Sequence, residues 1–236
     1  VLPCNQTRPF TTKGLKEDAM KKRMAVLGLT VALAVSVLLT GCQVVKVVKI
    51  GEEGKYTGET EFNAGDDVAA IWESSALPEL NETAVDLKDF LTESKGELTK
   101  LADKYGKYSM GVSGELSYVV KGSGTVEEVN NESQAGCLAL KLDGYTGAES
   151  IKLQIGPVYK GSSIRDTLSF IKFGDYKNQE EWAAVSQSIN QVVAKDVVEP
   201  AKPESLQGKT ISFVGAFTVS AGSTDVLITP AVLEAK

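Results

Sequence analysis

Apolar positions keep different rhythms in different parts of this chain, and the rhythms predict its elements. Over residues 66–80, Val68, Ile71, Trp72 and Ser75 return at three- and four-residue spacings, so a helix is expected there. Asp66 or Asp67 would cap it, and Pro78 would end or bend it. A second helix is expected over 86–103, with Leu87, Phe90, Leu91, Leu98 and Leu101 on its apolar side. Gly96 weakens its continuity and Gly106 closes it. The strongest helical pattern covers 179–193, where Trp182, Val185, Ile189, Val192 and Val193 form one stripe. Asn178 can cap this helix, and Glu180 and Glu181 suit the positive end of its dipole.

Elsewhere the period shortens. Residues 43–50, 116–129, 137–142, 150–155, 209–219 and 225–233 read as strands, separated by Gly-, Ser- and Asn-rich turns. Gly156-Pro157 ends one of them, and Ser162 can open a short helix beyond it. The expected class is α+β and β-dominated: a small barrel-like core of OB-like shape with packed helices. Helices followed by β segments suggest two related units, divided near 106–115.

The start of the chain has another pattern. Met20-Lys21-Lys22-Arg23 precedes an uncharged apolar run over 24–39, which is the order of an export signal. Leu39-Thr40-Gly41-Cys42 comes next, and it resembles a bacterial lipobox. That resemblance implies a diacylglyceryl group on the Cys42 thiol and cleavage before it. The alternative is one transmembrane helix running on through 48, but Gly41-Cys42-Gln43 interrupts the run and Lys46 and Lys49 punctuate the segment beyond it. The run is also shorter than the roughly 20 residues a spanning helix takes. The organisation expected is therefore extraneous sequence or a mis-assigned start over 1–19 and a signal peptide over 20–41. A lipidated N-terminus with a first strand and turn occupies 42–58, and an extracytoplasmic body 59–236. It would be lipid-anchored to a bacterial membrane, on the periplasmic side in a cell with two membranes.

Charge and composition narrow the function. Residues 1–41 carry six Lys/Arg and two Asp/Glu; removing that +4 from the chain's −6 leaves −10 for the remainder. An acidic body is unlike the basic footprint of nucleic-acid binders. The chain has no histidine, which excludes Ser-His-Asp and Cys-His catalysis and the usual ligands of catalytic zinc. With Cys42 lipidated, Cys137 is the single thiol of the body, so no internal disulfide is expected there; in its apolar strand it reads as a small core residue. No metal or other cofactor is expected beyond the lipid. Asp66-Asp67, Glu127-Glu128 and Glu180-Glu181 could serve a carboxylate-dependent glycoside hydrolase only if two carboxylates faced each other across a groove. Adjacent in sequence, they read as solvated charges.

Leu153-Gln154-Ile155-Gly156-Pro157-Val158, Gly161-Ser162-Ser163-Ile164-Arg165-Asp166 and Phe170-Ile171-Lys172-Phe173-Gly174-Asp175-Tyr176 carry a resemblance to a known family. Ile71-Trp72, Tyr105-Gly106, Gly215-Ala216-Phe217 and Leu227-Ile228-Thr229-Pro230 extend it. On these residues the chain resembles the predicted periplasmic lipoproteins of domain-of-unknown-function 2291. Gly174 stands where that family commonly has asparagine. The resemblance implies an accessory role beside sugar ABC transporters.

Candidate ligand- or partner-binding residues cluster in the same stretch: Gln154, Lys160, Arg165, Asp166, Asn178 and Gln179. The Arg165 fork could grip a carboxylate or sugar hydroxyls with Asp166 accepting complementary bonds; an internal salt bridge is the simpler reading. Asn178 and Gln179 could bond a polyol, or cap a helix and tie a loop. Trp72 and Trp182 could stack on sugar rings, but both lie on apolar stripes and read as core. The functions expected are a non-catalytic accessory or scaffold protein, contacting a sugar ABC transporter component or a solute-binding protein, or else a module for a small sugar-like ligand. The scaffold would display an exposed apolar patch. The ligand module would display a pocket on which Arg165, Asp166 and an aromatic ring converge.

Overall fold

A computed structural model describes residues 62–236 apart from Ser113, Ala221 and Ser223, and the side chain of Val112. The signal peptide, Cys42 and the strand expected over 43–50 lie outside the described residues. Residues 62–236 form one compact unit.

The first helix, α1 (Ala64–Ile71), starts earlier than the spacing alone indicates. Asn63 caps it, its side chain accepting from the amides of Gly65 and Asp66, while Asp66 and Asp67 occupy the first turn. Pro78 does not end the helical path. A π-helical turn, Trp72–Ala76, leads into α2 (Leu77–Thr83), where Pro78 falls in the first turn. A proline's missing N–H costs little in that position. After a two-residue strand, β1 (Val85–Asp86), Asp86 caps α3 (Leu87–Ser94) by accepting from Asp89 N at 3.1 Å. The helix expected to continue through 103 stops there. Lys95 and Gly96 take left-handed φ of 53° and 82°, and the chain resumes as a 3-10 turn and α4 (Ala102–Tyr105).

Beyond β2 (Lys107–Val112) come the barrel strands β3 (Leu116–Asn130), β4 (Ala135–Leu142) and β5 (Ile151–Pro157). Two helices come after them, α5 (Ser163–Thr167) and α6 (Gln179–Val192). A π turn, the short α7 (Glu199–Ala201), β6 (Thr210–Thr218) and β7 (Val226–Ala235) complete the chain. The strand order is β3-β4-β5-β7-β6, and β6 pairs with β3 to close the sheet. All these pairings are antiparallel except β5 with β7. The result is a five-strand mixed barrel with α5 and α6 inserted between its third and fourth strands.

Long β3 serves both sides of the closure. Residues 117–125 pair with β6 and 124–130 with β4, so the strand bends where Gly124 faces Ile211 on one side and Leu142 on the other. A Cβ at Gly124 would stand 2.5 Å from the Lys141 carbonyl oxygen, so the close approach of β4 needs glycine.

One end of the core is aromatic. Phe90 of α3 meets Tyr118 and Phe217 with ring centroids 4.7 and 5.9 Å away, and these two lie 5.5 Å apart. Such pairs contribute about 0.5–1.5 kcal/mol beyond the area they bury. The Tyr118 hydroxyl donates to the Leu98 carbonyl at 2.7 Å, fastening the helical segment to β3. Trp72 and Trp182 are both buried, as their helical stripes predict.

Candidate functional site

The residues singled out from sequence fall into two neighbouring places. The first is the short helix α5. Arg165 and Asp166 are both buried. Arg165 Nε and Nη2 reach Asp166 Oδ1 at 2.9 and 2.6 Å, Nη2 also reaches Ser162 Oγ at 2.8 Å, and Nη1 donates to the Trp182 carbonyl at 2.9 Å. The other Asp166 oxygen accepts from Ser162 Oγ at 2.6 Å. The guanidinium carbon lies 3.9 Å from the Trp182 ring centroid. Charge, hydrogen bonds and stacking surface are thus answered from within the protein, and the pair joins α5 to α6. Of the pair, Asp166 borders a groove that also has Tyr108 and Phe173 in its wall, but its carboxylate is turned to Arg165 and Ser162.

Asn178 belongs to the same join. Its Oδ1 accepts from Glu181 N at 2.9 Å, while Glu181 Oε2 accepts from Lys177 N at 2.9 Å, a reciprocal cap on α6. Gln179 comes next, exposed in the first turn.

The second place is the outer face of β4, β5 and β7. Gln154, buried on that face, accepts from Lys160 N at 2.6 Å and donates to Lys160 O at 3.1 Å and to Thr229 Oγ1 at 2.8 Å. Its amide therefore clamps the loop after β5 against the barrel. Thr229 lies 3.4 Å from Ser163 Oγ, which donates to the Ala216 carbonyl at 3.0 Å. A polar thread thus runs from Lys160 through Gln154 and Thr229 to α5. Tyr159, in the clamped loop, has a buried hydroxyl with no hydrogen-bond partner, and burial pushes its pKa up to about 12.

Beside this clamp lies a cleft of about 370 Å³. Cys137, Ala135 and Leu227 are among its small and apolar lining residues, and Lys152, Lys160, Thr218, Ser220 and Asp225 supply polar groups. Cys137 corrects the sequence reading: it is half-buried and faces this cleft, not the core. Strand alternation explains why. Leu138, Leu140 and Leu142 point inward along β4, so Cys137 points outward. Lys152, Thr218, Ser220 and Asp225 were missed as site residues. For Lys152 and Thr218 the signal lay in polar positions of the strands, while Ser220 and Asp225 fall between β6 and β7, in the stretch that the closure of β7 beside β5 brings to the cleft.

A larger hollow of about 580 Å³ lies between the end of α3 and the 144–149 loop. There the Tyr145 hydroxyl bonds the Glu149 carboxylate, and burial, with that bond adding to it, raises the tyrosine's pKa. Among the described residues no group of three His, Cys, Asp or Glu side chains could hold a metal ion, and no helix is long and apolar enough to cross a membrane.

A closed barrel of this strand order, with its helices between the third and fourth strands and a cleft on an outer face, defines an OB-fold domain. The chain is similar to a crystal structure of an OB-fold protein from Thermotoga maritima, with a TM-score of 0.62 and 18% identity. The match covers 75% of this chain and 100% of that one. The family model described as predicted periplasmic lipoprotein (DUF2291) matches residues 32–234, and the chain belongs to that family. It is an extracytoplasmic, lipid-anchored protein. No curated protein matches it in sequence.

Proposed function

We propose that this OB-fold lipoprotein is a non-catalytic accessory protein of sugar uptake, held in the membrane by a diacylglyceryl group on Cys42. It engages a transporter subunit or solute-binding protein through the outer face of β4, β5 and β7. The cleft on that face is the observation that carries the reading, because OB-folds bind through the corresponding face and its flanking loops. Its lining mixes a small apolar floor with lysines, hydroxyls and one carboxylate, Asp225. Glycoside hydrolysis uses two facing carboxylates. The buried Arg165–Asp166 pair, whose bonds are made within the chain, supports a positioning role for α5 in place of ligand capture.

The cleft's volume favours a second reading, a module for a small sugar-like ligand, since about 370 Å³ falls within the roughly 300–1,000 Å³ of small-molecule sites. Crosslinking and affinity capture of the lipidated protein from intact membranes, beside Cys42→Ala and the cleft-filling Cys137→Trp, tests the first reading. Enrichment of a sugar transporter component that is lost in Cys137→Trp is expected. Equal capture by parent and Cys137→Trp rejects the cleft as the contact. Saccharide binding by titration calorimetry, with no envelope protein captured, replaces the accessory reading with the second.

A further inference from the structure

A groove of about 330 Å³ opens between β2 and the chain after α5, away from the residues of the cleft. Its walls include Lys107, Tyr108, Met110, Ile171, Lys172 and Phe173. Of the four large apolar side chains exposed among the described residues, Met110 at 51% and Tyr108 at 38% line the groove, and Phe170 at 39% follows it along the chain between groove residues Ser169 and Ile171. The exposed charged side chains of the wall are both basic, Lys107 and Lys172. Its one carboxylate, Asp166, is buried against Arg165 at 2.6 Å.

The first described residue is linked to the groove through packed rings. Phe62, the first described residue, packs edge-on against Tyr176 at 5.8 Å. Tyr176 meets Trp182 at 5.3 Å, Trp182 meets the groove residue Phe173 at 5.7 Å, and Tyr176 N donates to the Phe173 carbonyl at 3.2 Å. One row of rings therefore joins the tether's entry to the groove. An apolar patch flanked by two exposed lysines, with the Glu79 carboxylate accepting from Ser169 N at 2.8 Å at its edge, suits the boundary of a bilayer containing anionic lipid, where aromatic and thioether side chains enter the headgroup layer and lysines meet phosphates.

We propose that the Tyr108–Met110–Phe170 face seats the domain on the anionic surface of the membrane that carries its lipid anchor. The seating leaves the β4–β5–β7 face for other partners and does not depend on what that face binds.

The test uses the processed, lipidated chain reconstituted in vesicles of phosphatidylcholine and phosphatidylglycerol. With Cys137→Ser as background, an environment-sensitive fluorophore is placed at Met110→Cys or, outside the groove, at Lys141→Cys. Quenching by headgroup-region spin-labelled lipid is then compared. The expected result is several-fold stronger quenching at 110 than at 141, diminished by a Lys107→Glu/Lys172→Glu double variant and by raised salt. Circular dichroism of each variant confirms that the fold is retained. Equal quenching at the two positions overturns the proposal. So does shielding of 110 that appears only after purified envelope proteins are added, which assigns the groove to a protein partner.

Discussion

Arg165 is the residue at which chemistry and architecture compete most directly. From sequence, a fork beside an acid and a serine-rich turn suits a ligand as well as a salt bridge, and both readings stay open until burial is known. In the fold the Asp166 side chain is fully buried and its neutralising partner is Arg165. Removing one member of such a pair leaves a buried charge uncompensated, at a cost of about 3–5 kcal/mol. Arg165→Ala is therefore expected to lower the unfolding free energy by about that amount in urea titration, and Arg165→Met/Asp166→Leu by clearly less. Equal losses in the two variants would mean the pair does not act as one unit. Among the cleft residues, Gln154 and Lys160 were singled out from sequence and Cys137 was not. Cys137 sits in an apolar stretch, and only its parity along β4 turns it outward.

Elements were legible where local physics decides them. The α6 stripe with its Asn178 cap and the alternating strands β4, β5, β6 and β7 fall close to where periodicity puts them. Pro78, expected to end or bend the first helix, falls instead in the first turn of α2, behind a π turn that follows α1. Trp72 and Ala76, at the two ends of that turn, are both buried. Gly124 depends on its partners. Its sequence context is an ordinary glycine in a strand, while its role is to admit the Lys141 carbonyl at the bend of β3. Gly124→Ala must push β4 away or unbend β3, and overpacking of this kind costs about 1–3 kcal/mol. Thermal unfolding should show that loss, with little change for Gly174→Ala, whose added Cβ meets nothing within 4 Å. Comparable melting temperatures for parent and Gly124→Ala would remove the steric account of the bend.

At the scale of the whole molecule, the run of strands indicated a small barrel, yet its closure by β3 with β6 and the parallel β5–β7 pair depend on long-range registers that alternation leaves free. Two tyrosines report on that closure. Tyr118 lies in β3 under Phe90 and Phe217, and Tyr159 lies in the loop clamped by Gln154. Burial pushes each pKa up to about 12 from 10.0. In the unfolded chain these phenols ionise near 10, while the folded protein holds their protons until about 12. Between those values the unfolded state binds fewer protons, so stability falls as pH rises, whereas below about 10 it does not depend on either group. Tyr159→Phe removes a buried hydroxyl that has no partner, so at neutral pH it should be neutral or stabilising. Tyr118→Phe keeps the ring contacts but strands the Leu98 carbonyl, at a cost of about 1–3 kcal/mol. Urea midpoints measured across the alkaline range should decline less steeply in the double phenylalanine variant than in the parent. Parallel declines would place the alkaline weakness outside the barrel's closure, in groups other than Tyr118 and Tyr159.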